Sequence, residues 1–229
     1  MNIAGIHAAI VDLDGTMVDT LGDFEVALNR MLAELQLPPI GRGFIERTVG
    51  KGSEHLIRTV LAEQMRPLDA GGDSCPAARP EARYEQAWRS YQTHYAAING
   101  RHADVYPGVE AGLQALQARG IALACLTNKP RDFAEELLQS KGLRRYFQQV
   151  FGGDSFERRK PDPLPLVRTS QVLGVPLAQT LMIGDSSNDA QAARAAGCRV
   201  VLVTYGYNHG EPVQSVDADG FVASLAELA

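Results

Sequence analysis

Long hydrophobic runs are missing from this 229-residue chain, and their absence sets the first limits. The opening apolar stretch meets Asp12 before it is long enough to span a bilayer or serve as a signal core, so no membrane or secretion segment is expected. Positive charge is also in short supply. The net charge is −5 and the single basic run, Arg158-Arg159-Lys160, is short, which gives no electrostatic footprint for nucleic acid. Cysteine is scarce and odd in number. Cys75, Cys125 and Cys198 show no paired spacing, which argues against a disulfide framework and for a reducing, cytoplasmic setting. Cys125 and Cys198 lie in apolar, strand-like runs and are expected in the core. The histidines, His7, His55, His94, His102 and His209, are scattered and make no zinc pattern. Repeats and low-complexity tracts are absent. With 45% hydrophobic and 21% charged residues, the chain reads as an ordinary soluble protein of one large or two modest domains.

What is present starts at Ala8-Ala9-Ile10-Val11-Asp12-Leu13-Asp14-Gly15-Thr16, a strand-length apolar run ending in two carboxylates, a glycine and a hydroxyl. Side chains alternate along an extended chain, so Asp12 and Asp14 share a side if the strand carries through. Paired carboxylates repel unless a cation sits between them or one keeps a proton, and Mg²⁺, a hard ion, suits oxygen ligands. A polar turn closing a strand is the plainer reading of the same residues.

The period then changes. Leu21, Phe24, Leu28, Met31, Leu32 and Leu35 recur at helical steps, stopped by Pro38-Pro39. A short helical piece near 44–49, the Gly50-Lys51-Gly52 break and a helix with Leu56, Ile57, Val60 and Leu61 follow. Residues 67–80 read as an exposed loop. A further helix carries Tyr84, Trp88, Tyr91 and Tyr95, an aromatic stripe expected to be core rather than ligand box. From about Asp104 the chain alternates helix and strand. Strands are expected at 121–126, near 150–151, at 180–184 and at 199–203, and the helix over 188–196 runs from a Ser186 or Ser187 N-cap to a Gly197 stop.

Continuously apolar strands alternating with helices imply a doubly wound, Rossmann-like parallel sheet. The expected α/β core is therefore 1–18 with 102–229, interrupted by an α-helical cap over 19–101. Ligands of such sheets sit at the carboxyl ends of the strands. That edge collects Asp12 and Asp14, then Thr127 and Asn128, then Asp185 with Asp189 a helical turn beyond, and Lys160. The set suits phosphoryl transfer, which needs positioning and charge neutralisation. Asp12 is the expected nucleophile and Asp14 the acid and base. Asp12, Asp185 and the Asp14 region hold the metal, Thr127 bonds phosphate oxygens, and Lys160 supplies a point charge.

In order and spacing these residues resemble haloacid dehalogenase superfamily phosphatases. Their four motifs match Asp12-Leu13-Asp14-Gly15-Thr16, Thr127-Asn128, Lys160-Pro161 and Gly184-Asp185-Ser186-Ser187-Asn188-Asp189. The likeness implies Mg²⁺ on Asp12, Asp185 and the Asp14 main-chain carbonyl with Asp189 in support, and substrate contacts from Thr16, Thr127, Asn128 and Lys160. It also implies a small phosphate ester as substrate. Val49-Gly50-Lys51-Gly52, Tyr106-Pro107-Gly108-Val109 and the stretch from Thr204 to Gly210 narrow the resemblance to the phosphoglycolate phosphatases within it. Sugar-phosphate phosphatases and β-phosphoglucomutase-like enzymes share much of this set, and a non-catalytic binding protein on the scaffold is the alternative of another class. A phosphonate hydrolase would need Lys51 as a Schiff base and would lack an acid at position 14. Nothing in the sequence sets an oligomeric state.

Overall fold

The structure, a computed structural model, describes residues 3–69 and 80–229. The chain opens with β1 (Ala8–Val11) and a two-residue β2 (Val18–Asp19), then runs through α1 (Leu21–Glu34), α2 (Arg42–Thr48), α3 (Ser53–Asp69) and α4 (Pro80–Ile98). A short β3 (Asp104–Val105) leads to α5 (Val109–Ala118), β4 (Ala122–Leu126), α6 (Arg131–Ser140), β5 (Gln149–Phe151) and α7 (Leu164–Leu173). β6 (Thr180–Gly184), α8 (Ser187–Ala196), β7 (Arg199–Val203) and β8 (Gly220–Val222) complete it.

Six strands form one sheet in the order β5-β4-β1-β6-β7-β8, every pairing parallel. The switch in winding falls beside β1, which is paired with β4 on one side and β6 on the other. Alternation along β1 explains why both faces need cover. Ala9 and Val11 pack with Leu113, Leu116 and Leu137 from α5 and α6, whereas Ile10 packs with Leu166, Ala190 and Ala193 from α7 and α8. The expected α/β class and parallel sheet are what the chain forms. Cys125 and Cys198 are buried, as free small residues in apolar strands should be.

α1 to α4 build a separate apolar cluster around Phe24, Leu28, Met31, Leu32, Ile57, Leu61, Tyr91 and Tyr95. The two chain crossings between this layer and the sheet are fastened to each other. β2 and β3 pair antiparallel, Val18 with Val105 and Asp19 with Asp104. Asp23, fully buried on α1, accepts the N–H groups of Gly100 (2.7 Å) and His102 (2.8 Å). The first turn of α1 is satisfied from outside the helix, Leu21 N–H by Asp19 and Thr20 N–H by the Tyr207 hydroxyl.

The differences from the sequence reading are local. The β2–β3 ribbon and β8 are only two and three residues per strand, too short for a periodic signal. The loop expected over 67–80 is too long at both ends, because α3 continues to Asp69 and α4 starts at Pro80, where proline's fixed φ fits a first helical turn. Positions 70–79, with Cys75, lie outside the described residues. Among the described residues no helix is long and apolar enough to cross a membrane.

Candidate active site

The carboxyl edge of the sheet gathers the acidic residues. Asp12 follows β1 directly, its N–H bonded to the Ile183 carbonyl (2.9 Å), and Asp185 follows β6. Asp189 lies in the first turn of α8, where its Oδ2 accepts from the Ser186 hydroxyl (2.9 Å) and N–H (3.2 Å) and from the Asp185 N–H (3.3 Å). Lys160 is 3% exposed and stands between the acids. Its Nζ is 2.7 Å from Asp189 Oδ1, 2.9 Å from Asp12 Oδ1 and 2.9 Å from the Leu126 carbonyl. The contact with Asp12 is close but misaligned, and Asp12 Oδ1 is left without a hydrogen bond.

Asp185 is held from both sides. Its Oδ1 accepts from the Thr16 hydroxyl (3.2 Å) and its Oδ2 from the Tyr207 N–H (2.8 Å). Two glycines make the approach possible. A Cβ at Gly15, where φ is +81°, or at Gly206 would overlap the Asp185 side chain.

Oxygens of Asp12, Asp185 and Asp189 lie within 4.8 Å of one another, all buried. Burial raises the Asp12 pKa to about 7, with Asp189 and Asp14 adding to the rise and Lys160 opposing it. Burial, Asp189 and Asp12 raise that of Asp185 well above the usual carboxylate range. The Lys160 pKa is raised as well, because Asp12 and Asp189 stabilise its ammonium and outweigh the cost of its own burial. One buried lysine among three buried carboxylates leaves negative charge uncompensated. All-oxygen donors, an orphaned carboxylate oxygen and surplus negative charge fit a hard divalent cation held by Asp12, Asp185 and Asp189.

Asp12 and Asp14 open onto a pocket between the sheet edge and the helical layer. Its far wall is apolar and comes from the helical layer, through Phe24, Val49, Leu56, Tyr91 and Tyr95, while Thr127, Asn128, Lys129 and Phe133 line the sheet side. Polar straps tie the layers. Asn128 and Asn188 both donate to the Gly50 carbonyl (2.9 and 3.2 Å), and the Tyr207 hydroxyl bonds Asp19 Oδ1 (2.8 Å) as well as Thr20 N–H.

The sequence-predicted residues therefore divide. Asp12, Asp14, Thr127 and Asn128 line the pocket; Asp12, Asp185 and Asp189 form the acidic trio; Lys160 bridges two of them. Asp14 turns its carboxylate away from the trio, accepting from the Thr20 hydroxyl (2.7 Å) and Lys129 Nζ (2.9 Å). Thr16 is buried on Asp185 rather than exposed to the pocket, and the Asn128 amide is taken up by Gly50 and Lys160 main-chain oxygens. The aromatic stripe is core, as its spacing implied, yet Tyr91 and Tyr95 also form pocket wall. Two residues escaped sequence reasoning. Lys129 directly follows Thr127-Asn128 at a strand end, a position that signals the site. Tyr207 lies in the Thr204–Gly210 stretch, where no periodicity marks one residue over another.

Comparison with known proteins assigns this fold to a family. Residues 9–203 match the haloacid dehalogenase-like hydrolase model, and the chain belongs to that family. It is 45% identical over 224 residues to the phosphoglycolate phosphatase of Thiobacillus denitrificans, covering 98% of this chain and 94% of that one. The plasmid-borne phosphoglycolate phosphatase of Cupriavidus necator is 42% identical over 222 residues, 96% of this chain and 90% of its own. Among solved structures, a predicted phosphoglycolate phosphatase from Haemophilus somnus superposes with a TM-score of 0.90 at 29% identity, covering 99% of this chain and 98% of that one.

Proposed function

We propose that this protein is a Mg²⁺-dependent phosphatase of small organic phosphomonoesters, with 2-phosphoglycolate its substrate. The observation that carries the reading is the trio of Asp12, Asp185 and Asp189, of which Asp12 lines a pocket together with Asp14. The full-length likeness to phosphoglycolate phosphatases supports the substrate.

In this reading Asp12 attacks phosphorus and forms an aspartyl-phosphate as the ester P–O bond breaks. Asp14 gives its proton to the departing oxygen, then takes one from the water that attacks the same phosphorus and frees phosphate. Lys160 keeps Asp12 oriented and screens it from Asp189. Thr127 and neighbouring main-chain N–H groups hold phosphate oxygens. Asp12, Asp185 and Asp189, with the Asp14 main-chain carbonyl, would hold Mg²⁺, which would supply charge neutralisation to those oxygens. Residues 19–101 act as a cap over the core of 1–18 and 102–229, excluding water and selecting the substrate. The unpaired Cys125 and Cys198 support a cytoplasmic location.

The test is kcat/KM across 2-phosphoglycolate, glycerol phosphates and hexose phosphates, with Mg²⁺ and after chelation. Activity should vanish on chelation and return with Mg²⁺. Asp12→Asn should lower turnover by about 10⁴-fold or more, while circular dichroism stays native. A preference of about a hundredfold for 2-phosphoglycolate, roughly 2.7 kcal/mol of transition-state binding, is the expected profile. The competing reading is a sugar-phosphate phosphatase. It has support in a 25% identical structure with a TM-score of 0.77, CbbY from Rhodobacter sphaeroides, solved with xylulose-1,5-bisphosphate. A preference for hexose phosphates would keep the chemistry and replace the substrate.

A further inference from the structure

Lys129 is the one cationic side chain lining the pocket among the described residues. It is 2% exposed. Its Nζ lies 2.9 Å from Asp14 Oδ1 and sits over two aromatic faces of the helical layer, 4.8 Å from the Phe24 ring centroid and 4.7 Å from that of Tyr95. An ammonium has three N–H donors, and π-faces stabilise its charge without supplying a lone pair to compete for them. Lys160 is differently placed, donating to Asp189 and the Leu126 carbonyl and lying in close ionic contact with Asp12, outside the pocket lining. An anionic group on a substrate tail therefore meets one buried cation here, and that cation touches the residue assigned to the leaving oxygen.

We propose that Lys129 is the specificity-determining residue of this pocket, its ammonium receiving the carboxylate of 2-phosphooxy acids. The inference rests on the phosphatase reading above and deepens it. The stereochemistry is restrictive. In a 2-phosphooxy acid the ester oxygen sits on the carbon next to the carboxyl carbon, so a cation in contact with Asp14 reaches the carboxylate while Asp14 serves the ester oxygen. A tail that places its anion further from the ester runs into Phe24, Leu56 and Tyr95. A tail of equal length without a charge leaves Lys129 with Asp14 alone and gains nothing from it. The substrate class is set by the distance between ester and carboxylate, and 2-phospholactate belongs to it.

The experiment is kcat/KM, with Mg²⁺, for 2-phosphoglycolate, 2-phospholactate and ethyl phosphate, whose tail has the same length but no charge. Wild type is compared with Lys129→Met, Lys129→Gln and Lys129→Arg. The decisive quantity is the ratio of 2-phosphoglycolate to ethyl phosphate, which does not depend on how much of a variant is folded. Lys129→Met should lower it about thirtyfold, the size of a lost charge-assisted hydrogen bond, and Lys129→Arg should retain part of it. Lys129→Gln, which still donates to Asp14, carries the test if the methionine variant does not fold. An equal fall for both substrates would make Lys129 a brace between sheet and helices and overturn the proposal. A wild-type enzyme indifferent to the carboxylate would instead overturn the substrate reading on which the proposal stands.

Discussion

The floor and the roof of the pocket are built from opposite materials. On the floor, Asp12, Asp185, Asp189, Lys160 and Thr16 bury charge and hydrogen bonds at the sheet edge, each held by main chain or by another polar group. Overhead, Phe24, Leu56, Tyr91 and Tyr95 present apolar surface from helices that pack chiefly on one another. Buried charge costs free energy unless geometry is maintained, so the floor tolerates little change. Apolar surface can be reshaped without leaving a group unpaired. The chemistry proposed above rests on the part that tolerates little change.

The sharpest way to break this division is Asp14→Asn, a change confined to the floor. It should cost about 10²- to 10⁴-fold in kcat for alkyl phosphates and much less for an aryl phosphate, whose leaving group needs no proton. Similar losses for both leaving groups, in a leaving-group series, would remove Asp14 from its role. Leu28→Ala changes the roof alone, emptying volume in a fully buried position away from the pocket. It should destabilise by about 2–5 kcal/mol, read from denaturant unfolding, and leave Mg²⁺ affinity as it was.

Tyr207 tests the seam, since its main chain holds Asp185 while its hydroxyl holds the start of α1. Tyr207→Phe keeps the first link and cuts the second. The expected loss is about 1 kcal/mol of stability with KM raised more than kcat is lowered; a change in Mg²⁺ affinity instead would mean floor and roof are not separable there. The smallest effect belongs far from the pocket. Burial works to raise the Asp219 pKa, but the Val200 N–H and Arg194 outweigh it and hold it below 3.8. A carboxyl lowered by folding stabilises above its unfolded pKa, and that contribution fades as pH falls through the folded value. Asp219→Asn should therefore lower Tm slightly at pH 7, with the difference shrinking at pH 3.

Much of this was legible in one dimension. Ala8–Val11, Ala122–Leu126 and Thr180–Gly184 are apolar on both faces, which already implies a covered parallel sheet, and the residues that follow such strands must share its carboxyl edge. Gly197 in a left-handed conformation after α8 shows how directly a local signal becomes structure.

The sequence by itself determined the class of fold, the helical interruption after β1 and the set of acids at the edge, because period and strand endings are local properties of the chain. Only the tertiary structure decided how those residues divide their work. Asp14 pairs with Lys129 rather than joining the acidic trio, Thr16 supports Asp185 rather than facing the pocket, and Tyr207 spans the two layers. Each depends on partners 22 to 188 positions away in sequence or on a turn such as that at Gly15, where a positive φ ends the strand's alternation. Side-chain direction past a strand's end is fixed by packing, and packing is a property of the folded whole.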